Sequence, residues 1–435
     1  MSIDFRGVCC GLRMKLCGRW LAIAGLLVSF GPAAFGATTC DPRRFGAKGD
    51  GIAKDTKAIQ AAIDACERSG GGTVRLTAGM YLSAPIVLKS HVTLQLDEGA
   101  TLIGSADHAD YPAKVEFRER GLQSLVSATS STDVAITGKG VIDGAGESWW
   151  KMARSIKDAG VMGSDHPRPR LIVFDHCTGV RIEGVTVQNS PMWQIVLYYS
   201  HDVVVRNIKV LAPANSPNTD AIDPFSSSHV LIDHIFADVG DDDVAIKSGV
   251  INSPGPDEPS RDITITDCTF LNGHGLSIGS EIAGGANNIR AERIHFTGTD
   301  NGIRVKANRD RGSDVGHLLF RDIEMKNVKN AIIISEYYPK VLPPENETAQ
   351  PITRLTPRFH DITLENVNAS GGSVAGAIIG LPEYPIKGVV LSNVKISAQK
   401  GLTIGYAEVS GSGVTVQAEE APSIKKMAGA RVSLQ

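Results

Sequence analysis

Val185-Thr186-Val187, Ile208-Lys209-Val210, Ile235-Phe236-Ala237, Cys268-Thr269-Phe270, Ile294-His295-Phe296 and Ile323-Glu324-Met325 are versions of one short strand. Their first residues lie 23, 27, 33, 26 and 29 positions apart. From Ile208 on, each is followed beyond a turn by a second short strand. These are Ala221-Ile222-Asp223, Val244-Ala245-Ile246, Gly275-Leu276-Ser277-Ile278, Ile303-Arg304-Val305 and the stretch from Ala331 to Ile334. A repeat of unequal length made of several short strands fits the coils of a parallel β-helix, where core positions stay fixed and insertions swell the loops. A leucine-rich repeat needs a tighter period and its Leu/Asn signature, and a propeller needs four antiparallel strands per blade. The expectation is an all-β, single-stranded solenoid, with aliphatic ladders inside and polar residues on the opposite face of each strand.

Working outward, one helix precedes the repeats. Asp55 stands where a cap belongs, and Ile59, Ile63 and Cys66 follow at helical spacing until Ser69-Gly70-Gly71-Gly72 ends the pattern. Such a helix would plug the first coil, which otherwise exposes unpaired strand groups. Further upstream, Arg13, Lys15 and Arg19 lead into an apolar stretch from Trp20 to Phe30, with small residues after it. That reads as a signal peptide over residues 1–36 and a β-helix catalytic domain over 37–435, secreted or periplasmic. The apolar run is too short to span a bilayer, so no membrane is expected for the mature chain.

Charge narrows the partners. Removing Arg6, Arg13, Lys15, Arg19 and Asp4 from 44 basic and 47 acidic residues leaves 40 and 46, a net −6. A net-negative chain does not attract nucleic acid, so an anionic ligand must be gripped by local basic groups. Cys40, Cys66, Cys177 and Cys268 remain, too scattered for a zinc site. Cys40 and Cys66 could pair in an oxidising compartment, or all four could serve as small core residues. Neither cofactor nor metal is expected, and a capped solenoid is expected to be monomeric.

Aligning the second strands places Asp220, Asp242 and His274 at one position, two residues before Ile222, Val244 and Leu276. Neighbouring coils stack about 4.8 Å apart, so these side chains should form a short polar ladder. On the next coil Arg304 and Lys306 share the outward face. Crowded carboxylates repel, and one should hold its proton above the ordinary range. An acid beside an ionised partner is what cleavage of a glycosidic bond needs. The adjacent Arg and Lys could grip a carboxylate on the sugar, Arg304 through two parallel hydrogen bonds. Taken singly, each residue has a plainer role: an Asp at a turn is usually a turn-former, and Gly240-Asp241-Asp242-Asp243 could bind calcium. Their coincidence in one column favours a site for a polyanionic sugar.

The four segments Asn218-Thr219-Asp220, Gly240-Asp241-Asp242, Gly273-His274-Gly275 and Arg304-Val305-Lys306 resemble, in order, the four motifs of the polygalacturonases, glycoside hydrolase family 28. Phe45-Gly46-Ala47-Lys48-Gly49-Asp50-Gly51 and Gly138-Lys139-Gly140-Val141-Ile142-Asp143-Gly144 resemble its N-terminal signatures, so the likeness runs from about residue 41 to 370. The resemblance implies a right-handed parallel β-helix and metal-free, inverting hydrolysis of α-1,4-linked galacturonic acid in pectin. It makes Asp241 the general acid, with His274 tuning it. Asp220 and Asp242 would activate the water, Arg304 and Lys306 would bind a substrate carboxylate, and Asn218 would shape the site. The chain departs from the pattern at Val305, in place of the usual Ile, at the extra acid Asp243, and in the long loop Ser253-Pro254-Gly255-Pro256-Asp257-Glu258-Pro259. No appended N-terminal β-sandwich of the kind seen in some exo-acting relatives is evident, which tips the reading slightly towards endo action. Exo-acting, rhamnogalacturonan or xylogalacturonan hydrolysis are the alternatives. A pectate lyase would need a strong base and usually calcium, and a non-catalytic carbohydrate-binding solenoid would not need the acids. Tyr337-Tyr338 could stack on a sugar or simply pack.

Overall fold

Among the described residues the strands of successive coils pair in parallel, in register through the central coils and with register shifts near the two ends, at Asp50/Lys54, Ala369/Gly372, Ile386/Val389 and Lys400/Leu402. The computed structural model describes residues 38–435 except 117–118, 161–165 and 250–257. Ile136, Ile182, Val205, Ile232, Ile265, Ala291, Phe320, Leu364 and Leu391 follow one another across successive coils as one continuous inner ladder. All nine are buried. The anchors Val185, Ile208, Ile235, Cys268, Ile294 and Ile323 are likewise buried. The fold is a right-handed parallel β-helix, as the spacing and the resemblance lead one to expect. An antiparallel hairpin, Ala113–Glu116 with Glu119–Leu122, stands outside the stack. No helix among the described residues is long and apolar enough to cross a membrane. The expected signal segment and most of the loop from Ser253 to Pro259 lie outside the described residues.

The coils turn their corners with residues suited to the left-handed backbone region. Asp202, His229, Asp262, Asn288, His317 and Asp361 occupy one corner on successive coils, all with φ between 50° and 56°. Short polar side chains tolerate this conformation because they bond locally, whereas β-branched residues do not. At the next corner the side chains also join coil to coil: Asn393 donates to Asn366 at 2.9 Å and Asn366 to Asp322 at 2.8 Å. This accounts for the Asn and Asp turns that punctuate the sequence.

Helix α1 (Thr56–Arg68) closes the N-terminal end, burying Ala58, Ile59, Ala62, Ile63 and Cys66 against the first strands. Asp55 precedes it, but its carboxylate does not cap the helix. Instead it accepts from the backbone N–H groups of Lys48 and Gly49 at 2.6 and 2.9 Å, fastening the loop that leads into the coil. Cys40 and Cys66 are joined by a disulfide, Cα–Cα 6.0 Å, across 26 positions. It ties α1 to the short strand Thr39–Cys40. The thiols Cys177 and Cys268 are buried. Closing a loop of this size restricts the unfolded chain by about 3 kcal/mol. Replacing both Cys40 and Cys66 by Ser is therefore expected to lower the denaturant midpoint accordingly. Identical midpoints for the two proteins would mean that the cross-link contributes nothing.

Candidate active site

One face of the solenoid carries the chemistry. Its strands are β1 (Ile195–Tyr198), β2 (Ile222–Phe225), β3 (Val244–Ile246), β4 (Leu276–Ile278), β5 (Asn301–Lys306) and β6 (Asn330–Ser335). Ile222, Val244, Leu276, Ile303 and Ile332 are in direct register. Asp220, Asp242 and His274, each two residues upstream, therefore do share one position on consecutive coils. Their side chains nevertheless part company. His274 turns to Asp241, while Asp242 turns down onto β4 and β5.

The Asp241–His274 pair is the open half of the site. Asp241 Oδ1 lies 2.9 Å from His274 Nδ1, and Asp300 Oδ2 lies 3.5 Å from His274 Nε2. A carboxylate thus stands near each ring nitrogen, an arrangement that favours the protonated imidazole. The hydrogen bond to Asp241 is the main cause of the upward shift of the His274 pKa. Asn218, in the left-handed region at φ 58°, reaches the other oxygen of Asp241 at 3.4 Å. Asn218 is itself held by Arg168, whose guanidinium donates to its Oδ1 at 2.6 Å and to the carbonyls of Pro191 and Pro217 at 2.8 Å. Burial brings that guanidinium down to about 10, which leaves it charged at neutral pH.

The closed half centres on Asp242. Lys306 Nζ is 2.8 Å from its Oδ2, Ser277 Oγ donates to Oδ1 at 2.8 Å, and Arg304 approaches Oδ1 at 3.4 Å. Burial opposes the charge on Asp242, but Lys306, Arg304 and Lys247 outweigh it and hold the carboxyl well below the usual range. Asp220 is the opposite case. It is buried, its Oδ1 has no hydrogen-bond partner among the described residues, and burial together with Asp241 and Asp223 pushes its pKa well above the ordinary value. Two neighbouring carboxyls driven apart in this way are a recurring arrangement for acid–base chemistry.

Asp243 is not part of the ladder. It is fully buried and accepts from the Gly275 N–H at 3.1 Å, so it braces the Gly273-His274-Gly275 turn from below. At Gly275, φ is +84° and an added Cβ would lie 1.9 Å from the Asn301 carbonyl oxygen, so both the backbone angle and the space demand glycine there. Tyr337 packs with Ile333, Ile379 and Leu381. Tyr338 sits beside the cations Lys306, Arg311 and Arg304, its ring centroid 5.5, 5.6 and 5.8 Å from them.

Asp241, His274 and Asn218 open into a groove of about 1250 Å³. Helix α2 (Glu147–Asp158) forms part of its wall and contributes Arg154 and Lys157, and Arg168, Arg170 and Trp193 line it nearer the acids. The groove is thus locally basic in a chain of net negative charge. Asp241, Asp242 and His274 bring potential metal ligands together, as do His317, His360 and Asp361 and also Asp233, His234 and Asp267 on the outer corners. In the first group Lys306 and Arg304 already occupy Asp242, and both would repel a divalent cation.

All the sequence candidates, Asn218, Asp220, Asp241, Asp242, His274, Arg304 and Lys306, converge on this one site. Arg168, Asp223, Lys247, Ser277 and Glu281 were not singled out. For Asp223 and Lys247 a signal existed: in the strand alignment they share the outward positions of Arg304 and Lys306. Arg168 lies outside the repeat, and nothing in the spacing points to it.

Comparison with known proteins places this geometry. A family model described as glycosyl hydrolases family 28 matches residues 69–414. A probable polygalacturonase of Vitis vinifera is 32% identical over 383 residues, covering 81% of this chain and 73% of that protein. An endo-polygalacturonase of Pectobacterium carotovorum is 31% identical over 360 residues, covering 79% and 84%. Among solved structures, the exopolygalacturonase of Thermotoga maritima superimposes with a TM-score of 0.75 at 29% identity, covering 89% of this chain and 91% of that one. On the strength of this match across most of its length, the chain belongs to glycoside hydrolase family 28 and is a glycoside hydrolase.

Proposed function

We propose that the protein hydrolyses the α-1,4 bonds of polygalacturonate with inversion. The observation that carries this reading is the Asp241–His274 pair at the floor of a basic groove, one coil from a buried, proton-attracting Asp220. Asp241 gives its proton to the bridging oxygen as the C1–O bond breaks. His274, hydrogen-bonded to Asp241, stabilises the anion left on it. A water attacks C1 from the opposite face and loses its proton to Asp220, which is the better acceptor of the two buried carboxylates because Asp242 is committed to Lys306, Ser277 and Arg304. One water is consumed, one new reducing end forms, and solvent restores both proton states. Asp242 fixes the cations and the floor of the site. Of the two cations Arg304 is the more exposed and has the longer contact with Asp242, so it is better placed to hold a uronate carboxylate.

The relatives divide between internal and terminal attack, so the products assign the mode. Digestion of polygalacturonate is followed by reducing ends together with ultraviolet absorbance of unsaturated uronides. New reducing ends without absorbance, and no effect of a chelator, are expected. A ladder of short oligomers from the outset assigns internal attack, and a single small product assigns attack from the end. Absorbance rising in step with reducing ends would make the enzyme a lyase and overturn the roles given to Asp241 and Asp220.

A further inference from the structure

Beneath Asp220 lies a buried cation that none of the four motifs contains. Lys247 directly follows β3, and the register across β4 sets it at the same outward position as Lys306, two coils on. Its ammonium is 3.4 Å from Glu281 Oε2, 3.7 Å from Asp220 Oδ2 and 3.8 Å from Asp223 Oδ1, with the Trp193 ring centroid at 4.9 Å. Lys247 is only 4% exposed, and Asp223 is fully buried. Neither oxygen of Asp223, nor Oδ1 of Asp220, has a hydrogen-bond partner among the described residues. Two buried carboxylates with so few donors are tolerable only where a counter-ion compensates them.

We propose that Lys247 is a positioning residue for hydrolysis: its ammonium, shared among Glu281, Asp223 and Asp220, is the counter-ion that keeps Asp220 available as the proton acceptor. This rests on the role given to Asp220 above. The groups facing Asp220 from the coils around it are Asp223, Asp241 and Asp242, all of which disfavour its charge, and Lys247 and Arg168, which favour it. Burial is the largest influence and acts with the three acids. Lys247 is the cation within ion-pair distance and works against them. Asp223, raised to about 7 by burial with Lys247 pulling the other way, shares the same ammonium. Glu281 makes the shortest contact and so withholds part of Lys247 from Asp220. Opposite substitutions should therefore act in opposite directions.

A base works only when ionised, so the acid limb of kcat/KM follows its pKa in the free enzyme. Lys247→Met is expected to move that limb up by about one pH unit, with about tenfold lower kcat/KM below it. The loss recovers as pH rises, and Lys247→Arg retains most of the wild-type profile. Glu281→Gln, which leaves the Lys247 ammonium in place, is expected to move the limb down. Carboxyl carbon NMR of aspartate-labelled protein, with Asp220 assigned through Asp220→Asn, reads the same shifts without turnover. If the Asp220 resonance titrates alike in wild type, Lys247→Met and Glu281→Gln, the inference is overturned. Shifts of the expected signs in a protein that leaves polygalacturonate intact would uphold the electrostatic role and overturn the function proposed above.

Discussion

Asp241→Asn is expected to lower kcat on polygalacturonate by about 10³-fold while leaving the fold and KM close to wild type. General acid catalysis is worth roughly 10² to 10⁴ in rate, and the alkoxide released from a sugar is a poor leaving group that needs that proton. An amide keeps the size of the side chain and can still hydrogen-bond to Asn218 and His274, so the change removes a transferable proton and little else. The comparison that decides is an aryl galacturonide whose leaving group needs no protonation. On it the variant should recover most of its bond-cleavage rate, since only leaving-group assistance has been lost. Equal loss on both substrates would move the acid elsewhere, with Asp220 the next candidate. An unchanged kcat on polygalacturonate would mean that Asp241 is not the general acid.

Lys306→Met should act on stability as much as on turnover. Lys306 and Asp242 are both buried, 2.8 Å apart. Breaking such a pair from one side leaves an uncompensated charge, at a cost of about 3 kcal/mol. The pH dependence supplies the check. In the wild type the Asp242 pKa is depressed on folding, so the pair's contribution is present above the ordinary carboxylate range and is lost as pH falls through the lowered value. In Lys306→Met that depression is largely gone, although Arg304 remains nearby. The stability difference between the two proteins should be largest at neutral pH and shrink towards pH 4, where the variant's Asp242 can take up a proton. Denaturant midpoints at both pH values measure it. A constant difference would mean that the lysine stabilises through packing of its aliphatic stem.

Much of this was legible beforehand because a solenoid repeats its own rules. Aliphatic residues at Ile222, Val244, Leu276 and Ile303 must stack, so an alignment by eye sets the true register, and Asp220, Asp242 and His274 fall into one position. What the alignment could not supply is side-chain direction at a corner, where successive residues no longer alternate cleanly. The column alone therefore did not pair Asp241 with His274, which the motif resemblance did, and it gave no sign that the Asp242 side chain points to Lys306 and Arg304. Asp243 was legible as an extra acid but not as a brace, since its role depends on the Gly275 N–H one coil away. Asp55 misled for a related reason: the residue before a helix offers its carboxylate to whichever backbone donors come closest, and here the Lys48–Gly49 loop wins. Arg168 was invisible because it reaches its place through the fold of a loop.

The in-register stack also works as a ruler. Arg304 stands two coils beyond the level of Asp242 because Val244, Leu276 and Ile303 occupy successive rungs. The backbone levels that carry these side chains are therefore separated along the solenoid axis by whole numbers of rungs, each about 4.8 Å. A point mutation cannot adjust that separation finely, and gaining or losing a coil changes it in one large step. Loops at the corners can lengthen or shorten freely without moving either mark on the scale. Sequence drift in this protein is thus free to remodel the walls of the groove, while the spacing between the Asp242 level and the Arg304 level stays quantised.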